Sequence, residues 1–266
     1  MMNQYKAVAI QAARAGGEIL SENLTKEVKV DYKGAVNLVT NVDRQSEKTI
    51  VEIIKKEFPD HEILAEEGYG RGQESPFKWI IDPLDGTTNY AHRFPFFCVS
   101  IGLEVQKEVV LGVVYDPLRS ELFLAEKGKG AFLNDHPIAV SVTEDLMHSL
   151  LVTGFSYDVR ETAENNFNHF FDFSMQVQGV RRTGSAALDF CYVAMGRFDG
   201  FWELKLHPWD AAAGSLLVQE AGGRVTDFAG KTFSVYSKEV IASNGKIHDE
   251  MVKVIQTGRA TKMRRT

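Results

Sequence analysis

The chain contains 266 residues, of which 44% are hydrophobic and 25% are charged. This composition is typical of a folded protein with a sizeable core, built as one large domain or two closely joined halves. The formal net charge is −6, so there is no overall positive field. The composition therefore argues against direct binding to nucleic acid or to an anionic membrane.

The cysteines and the N-terminus bear on the cellular compartment. Cys98 and Cys191 are far apart and each lies within an apolar run, which predicts two buried thiols rather than a disulfide. The first 20 residues contain polar and charged side chains among the apolar ones, a pattern that predicts an amphipathic helix and neither a signal peptide nor a membrane span. We expect a cytoplasmic protein.

The first half of the chain changes from helical to strand patterning. Two helices are predicted, from Tyr5 to Leu24 and from Val42 to Phe58, the second ending before a proline. Short segments rich in Val, Ile, Leu and Phe then favour strands at 62–67, 78–82, 97–105, 109–117 and 121–128. Their short connections imply an antiparallel or mixed sheet.

In the second half, strands and helices alternate. The patterns predict strands at 150–155, 178–182, 199–204, 223–228 and 239–243, and helices at 160–172, 184–195, 209–221 and 246–257. This alternation is typical of layered α/β structure. We therefore predict an α+β half at about 1–145 and an α/β half at about 146–266. The seam between them lacks a linker composition, so the whole chain, 1–266, is expected to form one unit.

The segment at 79–89 is the most informative in the chain. An apolar strand leads directly into Asp82, Pro83 fixes the backbone direction, and a tight turn follows at Asp85. Two carboxylates are thus held three residues apart at a strand end, an arrangement that suits a hard cation such as Mg²⁺. The backbone carbonyl of Leu84 supplies a further oxygen. In a chain of net negative charge, a bound cation is the obvious means of attracting a phosphorylated ligand.

Further polar groups accompany this turn. Gly86 and Thr87 begin a short helix whose first N–H groups suit a phosphate oxygen. Glu66 follows a short strand, and Asp210 precedes an Ala-rich helix. Each feature also has an ordinary explanation, because Asp-Gly turns are common at surfaces, glutamates are usually solvated, and Asp frequently caps helices.

Four motifs together resemble the inositol monophosphatase family. WIIDPLDGTTNYAHRFPFFCVSIGL at 79–103 and HPWDAAAGSLLVQEAGG at 207–223 are similar to its two signatures, and 37–47 and 64–68 resemble its accessory motifs. The resemblance covers nearly the whole chain in the family's order. It implies a layered αβαβα sandwich, a homodimer, two to three Mg²⁺ ions and inhibition by Li⁺.

The resemblance also implies roles for individual residues. Glu66, Asp82 and the Leu84 carbonyl would hold one ion, and Asp82, Asp85 and Asp210 a second. A third, weaker ion would be bound by Glu66 through a water molecule. The loop at 68–78 looks shorter than in the animal enzymes, and this departure from the family concerns the third ion. The catalytic residues implied are Glu66 and Thr87, which orient the attacking water, and Asp43, which pairs with Thr87. Asp43 and Thr40 would both lie behind the site. The implied substrate pocket comprises Asp85, Gly86, Thr87, Arg181, Gly184, Ser185, Ala186 and Glu203.

The implied reaction is the Mg²⁺-dependent hydrolysis of a small polyol phosphomonoester, with inositol 1-phosphate as the first expectation. Fructose 1,6-bisphosphate, alone or as a second activity, and histidinol phosphate stay open as alternative substrates. Phosphoadenosine compounds and NADP are disfavoured because the sequence has no basic, aromatic-rich insert for an adenine.

A partnership with the transcription machinery is a hypothesis of a different class. Some bacterial members of the family associate with RNA polymerase, and the C-terminal segment at 258–266 carries four positive charges. A solvated chain end is the favoured explanation of the same charges.

Overall fold

The computed structural model describes residues 2–26, 30–32, 38–68 and 74–258. The helices in this part of the chain are α1 (Met2–Asn23), α2 (Asn41–Glu57), α3 (Thr87–Ala91), α4 (Phe167–Ser174), α5 (Ala186–Ala194), α6 (Pro208–Glu220) and α7 (His248–Thr257). The strands are β1 (Val30–Tyr32), β2 (Leu38–Thr40), β3 (Glu62–Ala65), β4 (Phe77–Asp85), β5 (Cys98–Val105), β6 (Glu108–Asp116), β7 (Glu121–Glu126), β8 (Gly130–Leu133), β9 (His136–Ile138), β10 (Leu150–Thr153), β11 (Gly179–Arg181), β12 (Gly200–Leu204), β13 (Arg224–Thr226) and β14 (Glu239–Ser243).

The larger sheet has seven strands in the order β3-β4-β5-β6-β7-β8-β9. Its strands pair antiparallel except for β3 and β4, which run parallel with Ala65 opposite Ile81. This confirms the mixed sheet expected from the short connections. Because the parallel strands end side by side, Glu66, which follows β3, lies beside the end of β4, and its backbone N–H donates to Ile81 O at 3.2 Å.

The smaller sheet has five strands in the order β11-β10-β12-β14-β13. β10 runs parallel to both of its neighbours, whereas β14 pairs antiparallel with β12 and β13. The helices form the other layers: α1 and α2 cover the outer face of the large sheet, α5 and α6 lie between the sheets, and α4 and α7 cover the outer face of the small sheet. The layered αβαβα sandwich is thereby confirmed.

Close packing holds α6 against the large sheet. A Cβ added to Gly112 of β6 would lie 2.8 Å from Ala213 O, and one added to Gly102 of β5 would lie 2.9 Å from Ala212 Cβ. Only glycine therefore permits this separation between the sheet and the helix. The position of α6 in turn fixes the position of Asp210 in its first turn.

Two local predictions differ from the structure. The predicted helix at 160–172 begins only at Phe167, because the side chains of the preceding asparagines bond elsewhere. Asn166 Nδ2 donates to Thr153 Oγ1 and Gly154 O, each at 2.7 Å, and Asn166 Oδ1 accepts from Trp202. Such bonds compete with helix formation.

Strands β1 and β2 were not predicted, and neither were β8 and β9. Asn134 and Asp135 join β8 to β9 with φ angles of 48° and 65°. Two successive residues with positive φ are typical of a tight hairpin turn, in which Asn and Asp are favoured, so this pair was the available sequence signal.

Other predictions concern single features. Cys98 and Cys191 are free and buried, as expected. Among the described residues, no helix has both the length and the apolar character needed to span a membrane. Residues 69–73 of the shortened loop and 259–266 of the basic C-terminal segment lie outside the described part of the chain.

We expect Gly112→Ala to lower the free energy of unfolding by about 1–3 kcal/mol, the usual cost of overpacking a tight core, and to displace Asp210 with α6. Urea denaturation and a crystal structure of the variant would measure the two effects. Gly179→Ala is the control, since Gly179 is also a strand glycine without a positive φ and the nearest atom to its added Cβ would be the flexible end of the Arg181 side chain at 3.2 Å. If Gly112→Ala leaves α6 in place and destabilises no more than the control, the close contact is not what positions α6.

Candidate active site

A cavity of about 690 Å³ opens where β4 and β12 end and where α3, α5 and α6 begin. All the acids singled out as metal ligands or substrate contacts line it, and they come from both halves of the chain. The predicted site residues in its wall are Glu66, Asp82, Leu84, Asp85, Gly86, Thr87, Gly184, Ser185, Ala186, Glu203 and Asp210.

The turn at the end of β4 is rigid. Pairing with β5 becomes irregular between Asp82 and Asp85, so this stretch leaves the regular sheet. The N–H of Leu84 donates to Asp82 Oδ1 at 3.0 Å, and Ser46 Oγ of α2 donates to Pro83 O at 2.9 Å. The Asp82 carboxylate is thus fixed by its own turn, and the turn is fixed by a helix.

Gly86 allows the chain to turn sharply after Asp85. Its φ is 99°, and a Cβ at this position would lie 3.0 Å from Phe96 O and 3.3 Å from Gly184 O. Both constraints require glycine. The turn places the first residue of α3, Thr87, in the cavity wall.

Asp85 connects the two halves of the chain. Its Oδ2 accepts hydrogen bonds from Ser185 Oγ at 2.6 Å and from Ala187 N at 2.7 Å, both at the N-terminal end of α5. Ser185 is also the N-cap of that helix. Because both donors reach the same oxygen, the start of α5 orients this carboxylate.

Asp43 lies behind Thr87, as the family resemblance implied. Thr87 Oγ1 lies 3.1 Å from both Asp43 Oδ1 and Leu84 O, and its single proton can be donated to either. Asp43 Oδ2 accepts from Thr40 N at 2.9 Å and from Thr40 Oγ1, forming the capping box of α2. Burial raises the pKa of Asp43 to about 6 despite these bonds. With its proton engaged by Asp43 or by Leu84 O, the Thr87 oxygen can still accept a hydrogen bond.

Asp210 both caps a helix and faces the cavity. It occupies the third position of α6, and its Oδ2 accepts from His207 N at 2.6 Å. The ordinary explanation as a helix-capping residue is therefore correct, and it does not compete with a role in the cavity. The cap fixes the direction of the carboxylate.

The carboxylates of this wall resist ionisation together. Burial, followed by repulsion from Glu66, Asp85 and Asp210, raises the pKa of Asp82 well above its ordinary value. The pKa of Asp210 is likewise raised by burial and by its neighbouring acids, and burial raises that of Asp85. A positive charge among these groups would relieve the repulsion.

The donor set fits a hard divalent cation, and its acids are spread along the cavity wall. In the described ranges, no three His, Cys, Asp or Glu side chains converge closely enough to hold a metal ion as they stand. The acids form an open wall rather than a closed cage. Mg²⁺ characteristically takes only one or two carboxylates and keeps several waters, so an open wall of oxygen donors suits it.

The opposite side of the cavity contains Glu203 at the end of β12. A Cβ added to Gly154 would lie 2.2 Å from Glu203 Oε1, so the carboxyl group lies directly against a glycine. Burial raises the pKa of Glu203 to about 8, while Arg182 lowers it and Asp85 raises it. Glu203 near neutral pH can therefore donate as well as accept hydrogen bonds.

The structure does not bring Arg181 into the cavity wall. Its side chain is exposed, and Nη1 donates to Val180 O at 3.3 Å. The neighbouring Arg182 lines the cavity instead. Adjacent residues at a strand end point to opposite sides. The sequence therefore predicted an arginine at this point of the wall but did not show which of the two faces the cavity.

Sequence reasoning also missed several residues of the wall. Asp189 of α5 is buried there, and its Oδ1 accepts from Thr183 Oγ1 at 2.5 Å. Tyr157, Lys205 and Lys238 line the cavity mouth from loops and strand ends. The one signal available for Asp189 was its place in the first turn of a predicted helix. The helix dipole favours an acid at that position.

Comparisons with known proteins place this two-sheet sandwich with its acidic cavity among phosphate-ester hydrolases. The sequence profile of the inositol monophosphatase family matches residues 1–259. The chain therefore belongs to the inositol monophosphatase family and is a phosphoric monoester hydrolase.

Individual relatives are similar over nearly their whole length. The chain is 49% identical to an inositol-1-monophosphatase of Synechocystis sp., covering 96% of this chain and 89% of the relative. It is 41% identical to the Nus factor SuhB of Escherichia coli, covering 94% and 95%. The solved structure of an inositol monophosphatase from Anabaena (Nostoc) sp. matches with a TM-score of 0.89 and 43% identity, covering 98% of this chain and 99% of that one.

The raised pKa of Glu203 predicts how stability depends on pH. Between its ordinary value of 4.5 and about 8, the folded protein holds a proton that the unfolded chain has lost. The contribution of Glu203 to stability is therefore complete below that window and falls by about 1.4 kcal/mol per pH unit as the pH rises through it. We expect Glu203→Gln to remove this part of the slope.

Urea denaturation of the protein in a chelator, at pH values across that window, measures the slope. Glu18→Gln is the matched control, because Glu18 is an exposed glutamate of α1. Equal slopes for Glu203→Gln and the unmodified protein would contradict the assignment.

Proposed function

We propose that this phosphatase hydrolyses small polyol phosphomonoesters, with inositol 1-phosphate as the preferred substrate, and that it depends on Mg²⁺. The observation that carries the proposal is the composition of one cavity. Its acidic wall, made by Glu66, Asp82, Asp85 and Asp210, is oxygen-rich, and the opposite side carries Glu203 and Arg182. The first wall suits cations with a phosphate, and the second suits hydroxyl groups.

The metal ligands proposed are Glu66, Asp82, the Leu84 carbonyl, Asp85 and Asp210, for two to three Mg²⁺ ions. Support comes from the raised pKa values of Asp82, Asp85 and Asp210, since bound cations would relieve their mutual repulsion. When bound, the cations neutralise charge on the phosphoryl oxygens and activate water at neutral pH.

The protein's own groups would orient the reactants. Because the Thr87 proton is directed toward Asp43 or Leu84 O, the Thr87 oxygen can accept a hydrogen bond from a water molecule in the cavity. Glu66, on the adjacent strand end, would accept a second hydrogen bond from the same water. The N–H groups at Gly86 and Thr87 would donate to a phosphate oxygen, because no intrahelical carbonyl is available to them.

On the alcohol side, Glu203 would bond to hydroxyls of the polyol, accepting when ionised and donating when protonated. Gly184 and Ala186 keep this part of the wall open, and Ser185 acts by orienting Asp85. Arg182 is better placed than Arg181 to meet a hydroxyl or a second charged group. The homodimer and the cytoplasmic location implied by the sequence stay predictions.

A substrate panel tests the reaction. We expect phosphate release with the highest kcat/KM for inositol 1-phosphate, then for fructose 1,6-bisphosphate and histidinol phosphate, in each case lost in a chelator and restored by Mg²⁺. Addition of Li⁺ should inhibit. Phosphate release that persists without divalent cations would contradict the metal assignment. A clearly higher kcat/KM for another substrate would contradict inositol 1-phosphate as the preferred substrate.

Asp82→Asn and Asp210→Asn should each lower kcat by at least about a hundredfold, because each removes a charged ligand beside the reacting phosphate. Neither should unfold the protein, since the amide removes a charge that burial disfavours. Steady-state kinetics and thermal denaturation would measure both effects. Asp135→Asn, at an exposed hairpin tip, is the control, and near-full activity of either site variant would contradict the proposal.

A role beside the transcription machinery is a second proposal, supported by the 41% identity to proteins named Nus factor SuhB. The same variants separate the two roles. A protein that acts only as a binding partner would tolerate Asp82→Asn in its cellular function, whereas a protein that acts as a phosphatase would not. Capture of RNA polymerase from the native host by the full chain, or failure to capture it, decides whether the partnership exists.

A further inference from the structure

The residues at 154–158 form one wall of the cavity, and no motif in the sequence marked them. They connect β10 with the loop that leads to α4, and all five line the cavity. Phe155 is anchored on the outer side, where its ring lies 5.0 Å from that of Phe167, measured between centroids. The segment is thus attached to α4, on the outer face of the small sheet, while the residues after Phe155 line the cavity.

An ion pair joins this segment to the end of the neighbouring strand, since β10 and β12 run parallel and side by side. Lys205 Nζ lies 2.6 Å from Asp158 Oδ2, and Ser156 Oγ donates to Asp158 Oδ1 at 2.6 Å. The hydrogen bond from Lys205, together with that from Ser156, lowers the pKa of Asp158. Lys205 itself has a φ of 62°, a conformation that side-chain-bearing residues adopt at some cost and that often marks functional sites.

Tyr157 lies between these anchors. Its side chain is 49% exposed, yet burial of its hydroxyl, together with the charges of Glu66, Asp85 and Asp82, raises its pKa to about 12. Tyr157 lines the same cavity as these three acids, so the phenol and the acids border one space. Thr88, in the first turn of α3, lines it as well.

We propose that Tyr157, on a segment fixed by the Asp158–Lys205 ion pair, is a further substrate-contacting residue whose hydroxyl donates a hydrogen bond to the phosphoryl group. The acidic wall offers carboxylates, which cannot donate when ionised. A neutral phenol supplies a donor there without adding charge. This inference rests on the proposed phosphatase reaction and adds a contact on its phosphate side.

Tyr157→Phe tests the contact by removing one oxygen atom. We expect kcat/KM to fall by about ten- to a hundredfold, the range for a hydrogen bond to a charged group. The fall should be equal for inositol 1-phosphate and for p-nitrophenyl phosphate, which has no polyol hydroxyls. Titration with inorganic phosphate in the presence of Mg²⁺ should show a similar loss of affinity, and this second measurement does not depend on turnover.

Tyr236→Phe is the matched control. Tyr236 is 48% exposed, and its hydroxyl lies 2.9 Å from Glu104 Oε2, among residues that do not line the cavity. Unchanged kinetics of Tyr157→Phe, or a loss confined to inositol 1-phosphate, would overturn the phosphoryl contact. The unmodified protein reports separately on the proposed function, because absence of phosphate release from every substrate is a failure of that proposal alone, and the phosphate titration still decides the role of Tyr157.

A double-mutant cycle tests the anchor. Asp158→Asn weakens the ion pair with Lys205 and should lower kcat/KM by a smaller factor than Tyr157→Phe does. In the Tyr157→Phe background it should have little further effect, because the group that the anchor positions is already absent. Fully additive effects would show that Asp158 acts independently of Tyr157 and would overturn the anchoring role.

Discussion

The structure depends on holding several carboxylates close together in a partly dry wall. Their repulsion opposes folding, so each must be restrained by bonds that burial makes strong. Asp82 is bonded to its own turn, Asp85 to the start of α5, and Asp210 to the backbone before α6. In every case the restraining donor belongs to a turn or a helix end, where backbone N–H groups lack intrahelical partners. The helix termini therefore serve two purposes at once, since they satisfy their own amides and orient the acids.

The layers explain why these termini meet at one place. The parallel pair of β3 and β4 ends at the same edge of the large sheet, which brings Glu66 beside Asp82. β12 ends in the cavity wall and leads to α6, and glycines in β5 and β6 allow α6 to approach the large sheet closely. The cavity is thus bounded by elements of both halves. Its acids come from both as well, Glu66, Asp82 and Asp85 from the first half and Asp210 from the second.

The sequence contained the local parts of this site and few of the long-range ones. The turn around Asp82 and Asp85 and the cap at Asp210 were predictable because their residue types determine their backbone. The choice between Arg181 and Arg182 was not, since it depends on which side of a strand end faces the cavity. The late start of α4 was also not predictable, because Asn166 bonds to residues of β10, β12 and the loop after β10 that are distant in sequence. Tyr157 belonged to no pattern and became visible only through its position.

The bond between Ser185 and Asp85 spans 100 residues of sequence, and that between Thr87 and Asp43 spans 44. Contacts of such long range form late in folding, because closing a long loop costs entropy before the contact can stabilise it. Each half can therefore acquire helices and strands while the cavity does not yet exist. Asp210, Glu203 and the α5 donors that orient Asp85 all belong to the second half, so the cavity is complete only when both parts of the chain have folded together.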